Sequence, residues 1–354
     1  MKKSEKKDFN GVKEIARRGN VSIATVDRVI HNRTGVSENT RARIKKIIKD
    51  LNYQPNVLAQ RLAARKTIRL VSFIPRSSSE TSFWEAPLKG INEAAAEVEK
   101  FGITVEQYFY DLNSRESFLR QSKNILKSKP DGILLAPAFI EESVTFTEKC
   151  KEGGIPYVLM DADLPNTGAL SYIGPDLYHT GYLNAHLINF LTTPADKILI
   201  VNISKVIASH HYLLQKEEGF LAYFNDRKAE RNIIRLDITN TDNKSIEKEL
   251  TKTMVKHKDI KLIIVMNSRV FEVAGFLEKT KKNVLLIGYD FIPKNIEYLN
   301  KEVIHFLICQ KPQEQGYKGI ITLYQHLALS AKVEKAHFMP IDIITKENYI
   351  FYRN

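Results

Sequence analysis

Arg28 is the side chain whose placement most asks for a partner outside the protein. It stands in the run Ile23-Ala-Thr-Val-Asp-Arg-Val-Ile30, where Val26, Val29 and Ile30 recur at helical spacing and turn inward. Ile23, Ala24 and Arg28 are then the groups near the start of a short helix that can meet base edges in a major groove. Ile23 and Ala24 offer only apolar contact, for example to a thymine methyl. Arg28 can be bidentate to guanine O6 and N7, a contact contributing about 1–3 kcal/mol of discrimination, or can hold a phosphate. Asp27 on the same helix either pairs with a neighbouring arginine or accepts from a cytosine amine. Ser22, Asn32, Ser37 and Thr40 are candidates for phosphate contacts, with helix capping an equal role for Ser22 and Ser37.

The elements that must hold these groups can be read from the pattern. Residues 12–19 form a helix with Val12, Ile15 and Ala16 on one face, and Gly19-Asn20 can leave it in the left-handed conformation. Ser22 caps the second helix. Two short helices joined by so tight a turn make a helix-turn-helix, whose second helix does the reading. A third helix follows, capped by Ser37, with Ile44, Ile47, Ile48 and Leu51 on its apolar side. Charge agrees with this: residues 1–66 hold 17 Lys and Arg against 6 Asp and Glu, a balance of +11 in a chain of +12. Basicity so concentrated is the footprint of a phosphate-binding module on a neutral body. In the basic tail, residues 1–10, Lys2, Lys3, Lys6 and Lys7 belong to that footprint or are simply solvated.

The headpiece is expected over 11–55. Pro55 stops any helix through it, and Asn56 is a good N-cap for the short helix beyond, within a connecting segment 56–66. From residue 67 the pattern alternates. Apolar strand candidates are 68–74, 103–110, 132–136, 156–160, 197–203, 233–237, 261–266, 283–289 and 303–309. Between them lie helix-like stretches at 83–100, 115–128, 141–152, 176–191, 211–226, 244–257, 269–280, 293–300 and 312–329. Such alternation means parallel sheets flanked by helices, with ligands at the carboxyl ends of the strands. About 285 residues is much for one sheet, and the interruption at 161–168 points to two lobes. The expected division is 67–161 with 291–325, and 162–290 with 326–354.

Other function classes find little support. There is no G-x-S-x-G elbow, no G-x-x-x-x-G-K-[ST] loop and no G-x-G-x-x-G, so no catalytic residue and no cofactor are expected. His210-His211 are adjacent and His179 and His186 lie seven apart, so no metal is expected either. Cys150 and Cys309 are too few for a disulfide framework. No apolar run approaches the ~18–20 residues of a membrane span, and the lysine-rich start develops no signal-like apolar stretch. A cytoplasmic protein without a membrane partner is the expectation.

Three motifs, in order and at correct spacing, resemble the headpiece of the LacI/GalR family of bacterial transcription regulators. They are Val21-Ser-Ile-Ala-Thr-Val-Asp-Arg-Val29, Val36-Ser-Glu-Asn-Thr-Arg41, and Leu51-Asn-Tyr-Gln-Pro-Asn56 with Ala59 and Leu62. The body is similar to that family's effector domain, related to periplasmic sugar-binding proteins. Its marks are Asp131-Gly-Ile-Leu-Leu-Ala-Pro137, Gly154-Ile-Pro156, Gly219-Phe220, Gly288-Tyr-Asp290 and Gln310-Lys-Pro-Gln-Glu-Gln-Gly316. The expected fold is thus an all-α helix-turn-helix headpiece followed by an α/β two-lobed, periplasmic-binding-protein-like domain. The expected function is DNA-binding transcription regulation controlled by a small polar effector, a sugar or sugar derivative. A transport-type binding protein and an enzyme on the same scaffold are the rivals.

What the resemblance adds is residue-specific. It adds Thr25, Asn56, Ala59 and Leu62 to the DNA-contacting set, and makes 56–63 a hinge helix whose Leu62 wedges into a minor-groove step. Read without it, Leu62 could be core, although an eight-residue helix is unstable alone. Phe83 and Trp84 follow the first strand, where the family often stacks aromatics on sugar faces; they could equally be core of the next helix. Asp161, Asn267, Asp290 and Gln310 fall at or just after strand ends, where short polar groups can fork to vicinal hydroxyls, and each matches a family effector position. Lys216 matches a position often filled by Arg, with a solvated helix face as the alternative. Two departures stand out: Asp27 replaces the usual Ser, and Ala162 stands where many members have Arg. The implied partners are double-stranded operator DNA, a carbohydrate effector and a second copy of the chain, as a homodimer or higher oligomer.

Overall fold

The computed structural model describes residues 11–354 apart from 31, 52, 54–66, 165 and 208–210. Asn56, Ala59 and Leu62, expected among the DNA contacts, therefore lie outside the described residues. The chain divides into two units, 1–64 and 65–354.

In the first unit, α1 (Val12–Gly19), α2 (Ile23–Ile30) and α3 (Glu38–Asp50) close on Ile15, Ala16, Val26, Val29 and Ile44, with Val12, Val21, Ile47 and Leu51 packed around them. The serines do cap: the amides of Thr25 and Thr40 donate to Ser22 Oγ at 3.1 Å and Ser37 Oγ at 3.4 Å. The left-handed residue of the first turn is Asn20, at φ 49°, whereas Gly19 is the last residue of α1. Asparagine tolerates that conformation, so the turn does not draw on the glycine.

The second unit holds two parallel sheets, each covered by helices on both faces. The first lobe uses β1 (Ile68–Pro75), β2 (Ile103–Tyr110), β3 (Gly132–Leu135), β4 (Tyr157–Met160), β5 (Ser171–Gly174) and β11 (Ala336–Phe338), in the order β11-β5-β4-β3-β1-β2. The second uses β6 (Lys197–Ile203), β7 (Asn232–Ile238), β8 (Ile260–Val265), β9 (Leu285–Tyr289), β10 (Phe306–Cys309) and β12 (Asp342–Ile344), in the order β12-β10-β9-β8-β6-β7. Among the strands described, only the β10–β12 pair is antiparallel. The strands that pair on both sides are apolar on nearly every residue, as burial of both faces requires.

Helices α4 (Glu85–Glu99), α5 (Arg115–Ser128), α6 (Ile140–Glu152) and α12 (Pro312–Leu329) cover the first sheet. The second is covered by α7 (Leu177–Leu191), α8 (His211–Asp226), α9 (Asn243–Lys256), α10 (Val270–Thr280) and α11 (Pro293–Asn300). The lobe boundaries differ from the sequence expectation. Residues 171–174 pair with β4 and so belong to the first lobe, while α11 and β10 belong to the second. All of α12, together with β11, returns to the first lobe. The break at 161–168 is a turn within one lobe, and the chain crosses after β5, β10 and β11. Strand pairing across the sheet decides this, and it leaves no local signature in segments of three or four residues.

Candidate functional site

On the headpiece, Ile23, Ala24 and Arg28 share an exposed face of α2, Ile23 with half its surface accessible. An apolar side chain so exposed at the first turn of a helix is placed for contact with something other than its own core. Asp27 pairs with Arg33 at 3.2 Å, the first of its two anticipated roles. Asn32 is exposed at φ 51° just past the end of α2. Ser22 and Thr25 hydroxyls lie 2.9 Å apart, and Ser37 Oγ donates to Thr40 Oγ1 at 2.9 Å, so both pairs are engaged in capping.

All seven effector candidates, Lys216 among them, converge on one cleft between the lobes. A small cavity of about 50 Å³ is lined by Phe83, Trp84, Asp161, Lys216, Asn267, Asp290 and Gln310, joined by Thr81, Tyr110, Tyr212 and Ser268. Asp161 follows β4 and Asp290 follows β9, the carboxyl ends of equivalent strands. Both carry positive φ, 68° and 75°, a conformation that non-glycine residues keep only where the surroundings hold it. Phe83 and Trp84 satisfy both readings: they meet edge to face at 5.1 Å, are buried in the first-lobe core, and still line the cleft. Lys216 is no solvated helix residue. It is buried, with Nζ 3.8 Å from the centre of the Tyr289 ring.

The backbone packing of α7 on α8 fixes Lys216. A Cβ on Gly181 would stand 1.8 Å from the Lys216 carbonyl oxygen, and one on Gly219 would stand 1.9 Å from that of Tyr178, so only glycine permits the approach. Burial lifts Asp290 to about 7, with Lys216 pulling it back in part, and lifts Asp161 to about 6 against the same pull. Burial also lowers Lys216, offset in part by the two carboxylates. Asn267 is already engaged: its amide donates to the Ile203 carbonyl at 2.8 Å and its oxygen accepts from the Arg269 amide at 3.2 Å. Gln310 donates to Thr180 Oγ1 at 3.3 Å.

Residues 11–56 match the bacterial regulatory proteins of the lacI family, and residues 71–331 match the periplasmic binding protein domain. The chain belongs to the lacI family. The HTH-type transcriptional regulator pepR1 of Lactobacillus delbrueckii subsp. lactis is 31% identical over 41% of this chain and 41% of its own length. The ribose operon repressor of Lactococcus lactis is 24% identical over 95% of this chain and 97% of its own. Except for such full-length matches, the chain spans about two fifths to one half of the curated relatives it resembles. A solved chain from Bacteroides fragilis, described as a LacI transcriptional regulator, superposes with a TM-score of 0.76 at 28% identity, covering 81% of this chain and all of the other.

For this lacI-family member the motif reading missed the residues that hold the site rather than those that face it. Gln315, fully buried, donates to the Gln310 carbonyl at 2.7 Å and accepts from the Asp161 amide at 3.1 Å, fastening the first lobe to a crossing strand. Asn295, also fully buried, donates to the carbonyls of Ser268, Tyr289 and Asp290 within 3.0 Å and so fixes the turn carrying Asp290. Asn184 donates to the Tyr289 hydroxyl. Between the lobes, Thr81 and Ser268 hydroxyls meet at 2.7 Å, and Glu80 reaches Arg269 at 3.3 Å, Lys205 at 3.5 Å and Thr241 at 2.9 Å. Gln315 lies in the same motif as Gln310, but its other partner, Asp161, is 154 residues away, and no local pattern announces that contact. Among the described residues, no helix is long and apolar enough to cross a membrane.

Proposed function

We propose that this chain is a sequence-specific DNA-binding transcription regulator whose operator affinity is set by a small polar effector, a sugar or sugar derivative, held between the lobes. The observation that carries the reading is the pairing, in one chain, of an exposed Ile23-Ala24-Arg28 face on a helix-turn-helix with a cleft whose charged groups face inward. The named ribose operon repressor supports a carbohydrate as the ligand class. Carboxylates at strand ends accept from vicinal hydroxyls, Lys216 donates to ligand oxygens, and Trp84 offers an apolar wall. Closure of the lobes on the effector changes which arrangement of a homodimer binds a two-fold operator. Segment 56–63 is the element through which the two sites are coupled.

The test is selection of a DNA site from a random pool by the full-length protein, followed by titration of that site with and without a panel of sugars. Selective binding that one sugar shifts tenfold or more supports the reading. Sequence-independent binding, or turnover of a bound sugar, removes it in favour of a non-specific binder or an enzyme.

A further inference from the structure

The cleft carries more negative charge than the protein neutralises, and we infer that the effector bears one positive charge, as an amino sugar or another polyhydroxylated amine does. The inference rests on the effector reading above and narrows its ligand class. Asp161 and Asp290 reach the cavity from equivalent strand ends of the two lobes, and Lys216 reaches it from α8. Among the described residues, neither carboxylate accepts a hydrogen bond from a protein donor. Lys216 forms no ion pair within 4 Å with either of them; its ammonium stands over the Tyr289 ring instead. The neighbouring Arg269 does not make up the difference, because it is held by Glu80 at 3.3 Å and Glu272 at 3.4 Å.

One cation therefore faces two carboxylates in a site from which water is largely excluded. The other titratable groups around them, Tyr110, Tyr172, Tyr212, Tyr289 and Cys309, are held uncharged by burial. A protonated amine between Asp161 and Asp290 makes charge-assisted hydrogen bonds to both, and its hydroxyls take the remaining lone pairs. The aromatic rings of Trp84, Tyr110 and Tyr212 on the cavity wall accept a cation without penalty. A phosphate would bring like charge against both carboxylates. A neutral sugar binds with the surplus charge left in place. Burial has already raised Asp290 to about 7, as an uncompensated carboxylate should be.

The experiment uses the full-length protein and matched trios: glucosamine, glucose and glucose 6-phosphate; galactosamine, galactose and galactose 6-phosphate; mannosamine, mannose and mannose 6-phosphate. Thermal shift and calorimetry at pH 7.5 should find one amine binding at least about tenfold tighter than its parent, with no binding of its phosphate, and Asp290→Asn should remove that preference. A parent sugar or a phosphate that binds as tightly as the amine overturns this inference while leaving the effector cleft in place. A second arm needs no ligand. Asp290→Asn should raise the melting temperature of the empty protein most at pH 8.5, above the folded value of about 7, and by progressively less as pH falls toward the ordinary carboxylate range, where folding no longer takes up a proton. A lower melting temperature at pH 8.5 means that the carboxylate already has its counter-charge, and overturns the inference. A raised melting temperature together with no response to any trio removes carbohydrate as the ligand class, and this inference with it.

Discussion

Replacing Glu80 with Ala should loosen the closed cleft in the absence of any ligand. Glu80 lies on the loop after β1 in the first lobe, and three of its four partners belong to the second. It accepts from Thr241 Oγ1 at 2.9 Å, pairs with Arg269 at 3.3 Å and lies 3.5 Å from Lys205, while Asn113 of its own lobe donates at 3.0 Å. Burial pushes its carboxyl up, but the hydrogen bonds from Asn113 and Thr241 and the charges of Arg269 and Lys205 outweigh this and hold it below its ordinary value. The sign follows: with a depressed value in the folded state, the contribution is present at neutral pH and is lost as pH falls through the folded value. Lys205 is half exposed and adds little. Arg269 keeps Glu272 at 3.4 Å and the Thr241 carbonyl at 2.7 Å, so truncation does not strand it. What remains is one hydrogen bond to a charged group and one partly buried ion pair, together about 2 kcal/mol, or a roughly 30-fold shift from closed to open.

The chain supplies its own probe, because Trp84 is its one tryptophan, is 6% exposed, and shares a buried cluster with Phe271 and Ile292 of the second lobe. Opening exposes that ring. Acrylamide quenching of Trp84 should rise in Glu80→Ala, and its emission should move to longer wavelength, with far-ultraviolet circular dichroism unchanged. Lowering the pH of the wild-type protein toward 4 should begin to reproduce the effect. Quenching and emission identical to wild type in a folded variant would show that the lobes close without Glu80, and the latch would be discarded.

Other consequences are as direct. Arg28→Ala should lower the preference for operator over scrambled DNA by about 1–3 kcal/mol in competition titrations; an equal loss on both DNAs would make Arg28 a phosphate contact. Operator affinity should fall steeply with salt, by roughly 0.9 log unit per log unit for each neutralised phosphate, and a salt-insensitive affinity would contradict the role given to the +11 segment. Gly219→Ala forces α7 and α8 apart against a 1.9 Å contact and should destabilise the protein by about 1–3 kcal/mol, read as a lower urea midpoint at unchanged slope. A midpoint within error of wild type would mean that the helices can separate at no cost.

Helix and strand positions were legible because each follows from a local period that burial imposes. The helix-like stretch at 115–128 and the strand at 103–110 coincide with the observed elements residue for residue. The face of α2 was equally legible, since three inward residues in eight leave little choice about the rest. The strands at 171–174, 336–338 and 342–344 were not, and neither was the assignment of elements to lobes. Three or four residues carry no measurable period, and their place comes from pairing with strands far away in the chain. The same division runs through the cleft. The sequence placed Asp161 and Asp290 at strand ends, because an apolar run that stops at a short polar residue marks such an end. It could not decide that Lys216 is buried, that Phe83 and Trp84 are core and wall at once, or that Gln315 and Asn295 fasten the turns. Those are properties of which surfaces meet, and a chain settles them only when distant segments compete for the same space and hydrogen bonds.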